Sequence, residues 1–188
     1  YNQFMVSTHR DKARVGTITS RIEHFLEWKD PYPLKKTDLG DSSTSQDILI
    51  AGMFEKTNFL DLIQNFTVFE PMDGRTIKKI ARYQQFRAVH KSIERIKSGT
   101  DRKSKSGVIW HTQGSGKSLT MVFLTLKIRR DPELRDYKMV FITDRTQLDT
   151  QLTATFQNTQ NETIHHANSV KELKELLQTN SSDIITAM

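Results

Sequence analysis

The sequence predicts an α/β fold for its second half: a parallel sheet with helices on its faces, preceded by a mainly helical and irregular region. Two observations carry this. From residue 107 onward, short apolar runs alternate with stretches of helical length and periodicity, the order that produces parallel sheets covered by helices. Within that alternation, "GVIWHTQGSGKSLTM" (107–121) places a glycine-rich turn between an apolar run and a helix, the junction at which a backbone is best placed to meet an anion.

Taken in order, residues 1–43 read as irregular, with "DPYPLKKTDLGDSS" (30–43) forming a loop of prolines, glycine and aspartates. "TSQD" (44–47) resembles a capping box and opens a helix through ILIAGMF. A second helix is expected over 58–66, capped by Asn58, with Phe59, Leu62, Ile63 and Phe66 at helical spacing. "TVFE" (67–70) reads as extended, and Pro71 with Asp73-Gly74 turns the chain. Ile77, Ile80, Ala81, Val89, Ile93 and Ile96 recur on one helical face, so a long helix is expected over 75–97. "KSGTDRKSKSG" (97–107) is a polar, basic loop. Then follow a strand at 107–112, a helix at 117–130 ended by Asp131-Pro132, a strand at 138–143 and a helix at 145–157. A short run, TIHHA (163–167), precedes a helix from Ser169, where Ser169 and Glu172 form another capping box, and a strand at 183–188 comes last.

Bulk composition narrows the function classes. The 188 residues suit one domain, or one domain with an appendage. Lysine and arginine number 28 against 22 acidic residues, a net charge of +6 that favours a polyanionic partner or serves solubility alone. The absence of cysteine excludes disulfides and thiolate metal sites and suits a reducing cytoplasm. No apolar run reaches membrane-span length and no charged-then-apolar leader opens the chain, so no membrane partner is expected. A start at Tyr1 and a finish on the apolar run "DIITAM" read as a segment of something longer.

The chemistry concentrates in the glycine-rich turn. A phosphate loop works because consecutive amides converge on an anion at a helix N-terminus, where the helix dipole is positive. Gly114 and Gly116 adopt positive φ cheaply and admit phosphates close to the backbone. Lys117 supplies a compact positive charge to the β- and γ-phosphates, and Ser118 a hydroxyl for Mg²⁺. His111 occupies the place of the first glycine in G-x-x-x-x-G-K-[ST], where a backbone without positive φ suffices; it reads as a packing residue rather than a base. The loop Thr112, Gln113, Gly114, Ser115, Gly116, Lys117 and Ser118 is therefore expected to hold a triphosphate, against the alternative of a structural turn.

The wording "GVIWHTQGSGKS" resembles motif I of the restriction (R) subunit of type I restriction-modification enzymes, a branch of the superfamily 2 DNA translocases. "ARYQQFRAVHKSIERI" (81–96) resembles that family's Q-motif helix, and "FITDRTQLDTQL" (141–152) its motif Ia. "RVGTITSRIEHFLEWKD" (14–30) and "NFTVFE" (65–70) are similar to its linker between nuclease and motor. The resemblance implies a linker over 1–74 and, over 75–188, the first RecA-like lobe, a P-loop NTPase lobe interrupted before the acidic Mg²⁺-binding motif.

It further implies ATP and Mg²⁺ as cofactors, with Lys117 and Ser118 as catalytic residues, Ser118 on the metal and Gln85 on the adenine edge. Duplex DNA and the methylase (M) and specificity (S) subunits are the implied partners, in the cytoplasm. Arg145 and Thr146 would lie near the DNA backbone or merely cap a surface helix, and Asp144 belongs to motif Ia rather than to an acidic Mg²⁺ strand. No strand ending in D-E-x-H follows the loop, so these residues alone are expected to hydrolyse ATP negligibly. Glu27-Trp28-Lys29 reads as structural, and His165-His166 as solvated loop histidines. The rival readings are another superfamily 2 helicase and a non-enzymatic nucleotide-binding module.

Overall fold

The computed structural model describes residues 2–9, 11–72, 74–143, 164–179 and 181–187. The chain divides into two compact units, Tyr1–Phe123 and Leu124–Met188.

In the first unit, the region expected to be irregular opens with an antiparallel hairpin of β1 (Met5–His9) and β2 (Lys12–Gly16), in which Val6 faces Val15. Strand β1 is exposed along its whole length, so it carries no apolar alternation to betray it. In β2, Ala13 and Val15 are buried. Helix α1 (Ser45–Gly52) starts as expected: Thr44 Oγ1 accepts from the Asp47 amide at 3.2 Å, and the Asp47 carboxylate accepts from the Thr44 amide at 2.8 Å. Helix α2 (Lys56–Asn65) starts earlier than expected, because the carboxylate of Glu55, not Asn58, forms the cap by accepting from the Asn58 amide at 2.9 Å. The Asn58 side chain is buried instead and donates to the Gly52 carbonyl at 2.7 Å, fastening α2 to the end of α1.

The long helix expected over 75–97 splits in two. Strands β3 (Thr67–Met72) and β4 (Arg75–Ile80) form a hairpin about Gly74, which takes φ +74°. Ile77 and Ile80, three residues apart, fit a helical face as well as a strand; the pairing register, which that spacing does not encode, decides. Helix α3 (Tyr83–Ser98) follows, with Val89 and Ile93 buried as its periodicity requires. Within the basic loop lies a short helical turn, α4 (Arg102–Lys105). Residues Gly107–Thr112, expected as a strand, pair with no strand among the described residues, and Val108 and Trp110 are each 89% exposed. An apolar run becomes a strand only beside an edge that completes its hydrogen bonds. The core gathers around Phe66, which meets Phe86 at 4.7 Å and Phe123 at 5.5 Å between ring centroids, with Met53, Leu62 and Val89 also buried.

Helix α5 (Lys117–Arg130) matches its expected bounds and carries the chain into the second unit. There, β5 (Met139–Ile142), β6 (Ile164–Ala167) and β7 (Ile184–Ala187) make a parallel sheet in the order β5-β7-β6. The central strand β7 is buried at every position, as expected for a strand paired on both edges and covered on its faces. Helix α6 (Val170–Gln178) begins at Ser169, whose hydroxyl accepts from the Glu172 amide at 3.2 Å. The result is a mixed α/β architecture whose one described sheet in this unit is parallel. No described helix is long and apolar enough to cross a membrane.

Candidate functional site

The glycine-rich turn sits at the start of α5, where the first amides of a helix have no intrahelical partners and the dipole is positive. Gly114 and Gly116 both take positive φ, +76° and +84°, the conformation expected of them. Ser115, buried between them, closes the turn through its amide and hydroxyl, which both donate to the Thr112 carbonyl at 3.3 and 2.7 Å. Lys117 folds back over the loop and donates from Nζ to the carbonyls of His111 and Thr112, each at 3.1 Å. His111 thus contributes through its backbone, while its ring Nδ1 is buried without a hydrogen-bond partner among the described residues.

The second component comes from α3. Gln85 is 2% exposed. Its Nε2 donates to the Gly116 carbonyl at 2.9 Å, and its Oε1 accepts from the Arg82 amide at 2.8 Å, which also caps α3. A Cβ on Gly116 would lie 2.6 Å from Gln85 Nε2, so a side chain there would push the Gln85 amide aside in addition to straining φ. The Gly116 carbonyl also accepts from the Thr120 amide at 3.0 Å and the buried Thr120 hydroxyl at 3.2 Å. A primary amide has two donor hydrogens and an oxygen with two lone pairs. One hydrogen and one lone pair are used internally, which leaves the others for a ligand.

Gln85, Gly114 and Gly116 line one groove of about 1510 Å³, together with Phe25, Trp28 and Tyr83. Phe25 and Trp28 escape notice as site residues because no local pattern links them to a turn nearly ninety residues away, whereas Tyr83 stands two residues before Gln85. Thr120 is missed for a different reason: its role is to accompany Gly116, one helical turn back. The residues fit a nucleotide with Mg²⁺ on two counts. The space beyond Gly114 is open, since a Cβ there meets nothing within 4 Å. The Ser118 hydroxyl, half-buried in the first turn of α5, has no internal partner among the described residues.

Residues 84–188 match the family described as SWI2/SNF2 ATPase. The chain belongs to the SWI2/SNF2 ATPase family. The matched region begins at Gln84 and thus takes in the glutamine of α3 as well as the loop it braces. Among curated proteins, the chain is 35% identical, over 84% of its length, to the type I restriction enzyme HindI endonuclease subunit of Haemophilus influenzae, covering 15% of that protein. It is 32% identical, over 100% of its length, to the putative type I restriction enzyme MjaIXP endonuclease subunit of Methanocaldococcus jannaschii, covering 19%. A second protein of that organism, the putative MjaVIIIP endonuclease subunit, is 30% identical over 95% of the chain and 17% of its own length. The resemblance to type I restriction endonuclease subunits drawn from the motifs is therefore shown, and the chain spans less than a fifth of the length of these relatives.

Other expected features resolve individually. Of Glu27-Trp28-Lys29, Trp28 is buried, donates from Nε1 to the Asp30 carbonyl at 2.8 Å and meets the Phe86 ring edge-on at 5.7 Å. Glu27 and Lys29 are exposed and lie 3.9 Å apart. His165 and His166 are not in a loop but on β6: His165 Nε2 lies 3.7 Å from Asp183, and His166 Nδ1 is 2.8 Å from the Thr186 hydroxyl. Neighbouring strand residues point to opposite faces, so the two rings do not converge. No group of three potential metal ligands occurs among the described residues. Asp144, Arg145 and Thr146 lie outside the described residues.

Proposed function

We propose that this chain is the nucleotide-binding part of an ATP-dependent DNA translocase and endonuclease subunit of a type I restriction enzyme. In this reading residues 75–188 belong to the first RecA-like lobe of the motor and residues 1–74 to the linker from the nuclease. Methylase and specificity subunits are its partners, and duplex DNA is its track in the cytoplasm. The observation that supports it most is the loop at the start of α5, in which Gly114 and Gly116 take positive φ and Gln85 holds Gly116 from behind.

In the proposed site the amides of Gly114 to Ser118 bind the phosphates, with Thr112 and Gln113 forming the entry to the loop. Lys117 releases the two carbonyls it now holds and brings its charge to the β- and γ-phosphates, exchanging neutral acceptors for anionic ones. Ser118 would hold Mg²⁺, which when bound neutralises the charge of the phosphates during transfer. The free hydrogen and lone pair of Gln85 face the adenine edge, so the same side chain reads the base and braces the loop. Arg145 and Thr146 are proposed to follow the DNA backbone.

The test is Lys117→Ala in the full-length protein. ATP-driven translocation and ATP hydrolysis should both be lost. ATP turnover retained by the variant would remove Lys117 from this role and the loop from its proposed function.

A further inference from the structure

The cations of the turn after α3 are left without a job by the nucleotide site. Together with the last turn of α3, which carries Arg95 and Lys97, residues 95–105 hold five basic residues and one acidic residue, +4 of the chain's net +6. The acidic residue is already occupied: Asp101 Oδ1 accepts from the Ser104 amide at 2.7 Å as the cap of α4. That bond, with a smaller contribution from the Ser104 side chain, holds the Asp101 carboxyl below its ordinary range, so it stays a charged cap.

The turn is also built rather than loose. The Thr100 amide donates to Ser104 Oγ at 3.0 Å, Ser106 Oγ to the Arg102 carbonyl at 2.5 Å, and Arg95 Nε to the Ser106 carbonyl at 2.5 Å. Gly99 packs so closely that a Cβ would lie 2.9 Å from the Lys105 amide. Nothing in α4 is buried, so the turn contributes no core. Arg102, Lys103 and Lys105 are all exposed, and among the described residues no ion pair engages them. A polar scaffold therefore presents three cations within one helical turn.

We propose that α4, Arg102–Lys105, is a docking platform for the phosphate backbone of duplex DNA. A duplex carries a negative charge about every 1.7 Å of its axis, so three exposed cations on one turn meet a dense row of phosphates. Flexible lysine and arginine heads on a backbone turn suit phosphates without selecting bases, as a motor that moves along any sequence requires. The platform adjoins the C-terminal end of α3, whose axis runs about 20 Å from Gln85 to Ser98, so it can hold DNA without touching nucleotide. This assignment rests on the DNA-motor reading above.

The test uses the full-length protein with Arg102, Lys103 and Lys105 all changed to Ser, beside a charge-keeping Arg102→Lys, Lys105→Arg variant. Duplex affinity is measured across a salt series, and ATP affinity in parallel. The triple variant should lose roughly tenfold or more in duplex affinity at low salt, and its log–log salt slope should flatten by about 0.9 for each phosphate left without its cation. The charge-keeping variant should retain both, and ATP affinity should not change in either. An unchanged slope in the triple variant overturns the platform while leaving the motor reading intact. The same holds if its defect is confined to association with another protein subunit, which would assign the cations to an acidic protein surface. Failure of the unaltered protein to bind duplex at all would overturn the motor reading and the platform with it.

Discussion

Gly116 meets two demands at once, a φ of +84° and a Gln85 amide 2.6 Å from where its Cβ would be. Gly116→Ala therefore combines left-handed strain of about 1–2 kcal/mol with displacement of the brace. ATP affinity should fall about tenfold or more, a change of about 1.4 kcal/mol, and nucleotide titration of the purified variant checks it; affinity equal to the parent's contradicts the brace. Gln85→Ala should narrow the preference for ATP over GTP, because the side chain proposed to face adenine is removed; competition between the two nucleotides measures this, and an unchanged ratio counts against the assignment. The conformation of the two glycines was legible in the sequence because positive φ is a property of residue type and turn position. The bond from Gln85 to Gly116 was not, because it joins residues 31 apart and depends on how α3 lies over the loop.

Among the elements, those whose ends are set by local side chains were the legible ones. Thr44 with Asp47, and Ser169 with Glu172, mark the starts of α1 and α6 within four residues of sequence. The β1–β2 hairpin and strand β4 were not legible, since their stability lies in pairing that an exposed β1 or a three-residue isoleucine spacing does not express. By contrast, β3 and the turn at Gly74 were read from TVFE and Asp73-Gly74. Gly107–Thr112, unpaired among the described residues, shows the opposite error: apolar character without a neighbouring edge.

Two predictions belong at this scale. Phe66 is fully buried against Phe86 and Phe123, so Phe66→Ala should cost about 3–5 kcal/mol, read as a lower urea midpoint at an unchanged slope. Hydrogen bonds from backbone amides hold the carboxyls of Asp47, Glu55 and Asp101 below their ordinary values, from Thr44, Asn58 and Ser104 respectively. A lowered pKa in the folded state gives stability that is present above the unfolded value and lost as pH falls through the folded one. Helix content should therefore decline as pH drops below the ordinary carboxyl values of 3.8 and 4.5, and far-UV circular dichroism follows it. A signal that holds steady to strongly acid pH would show that these caps carry no weight.

For the whole molecule, membership of the SWI2/SNF2 ATPase family and the similarity to type I restriction endonuclease subunits agree with the α/β architecture and the loop geometry. The proposed nucleotide site of α3, the loop and the groove beside them would account for why a buried glutamine, two left-handed glycines and an exposed lysine occur together. The most direct measurement is amide hydrogen exchange of the full-length protein with and without a non-hydrolysable ATP analogue and Mg²⁺. Binding through the loop predicts slowed exchange at residues 113–118 and at the start of α3. Slowed exchange confined to other segments, with 113–118 unchanged, would contradict it.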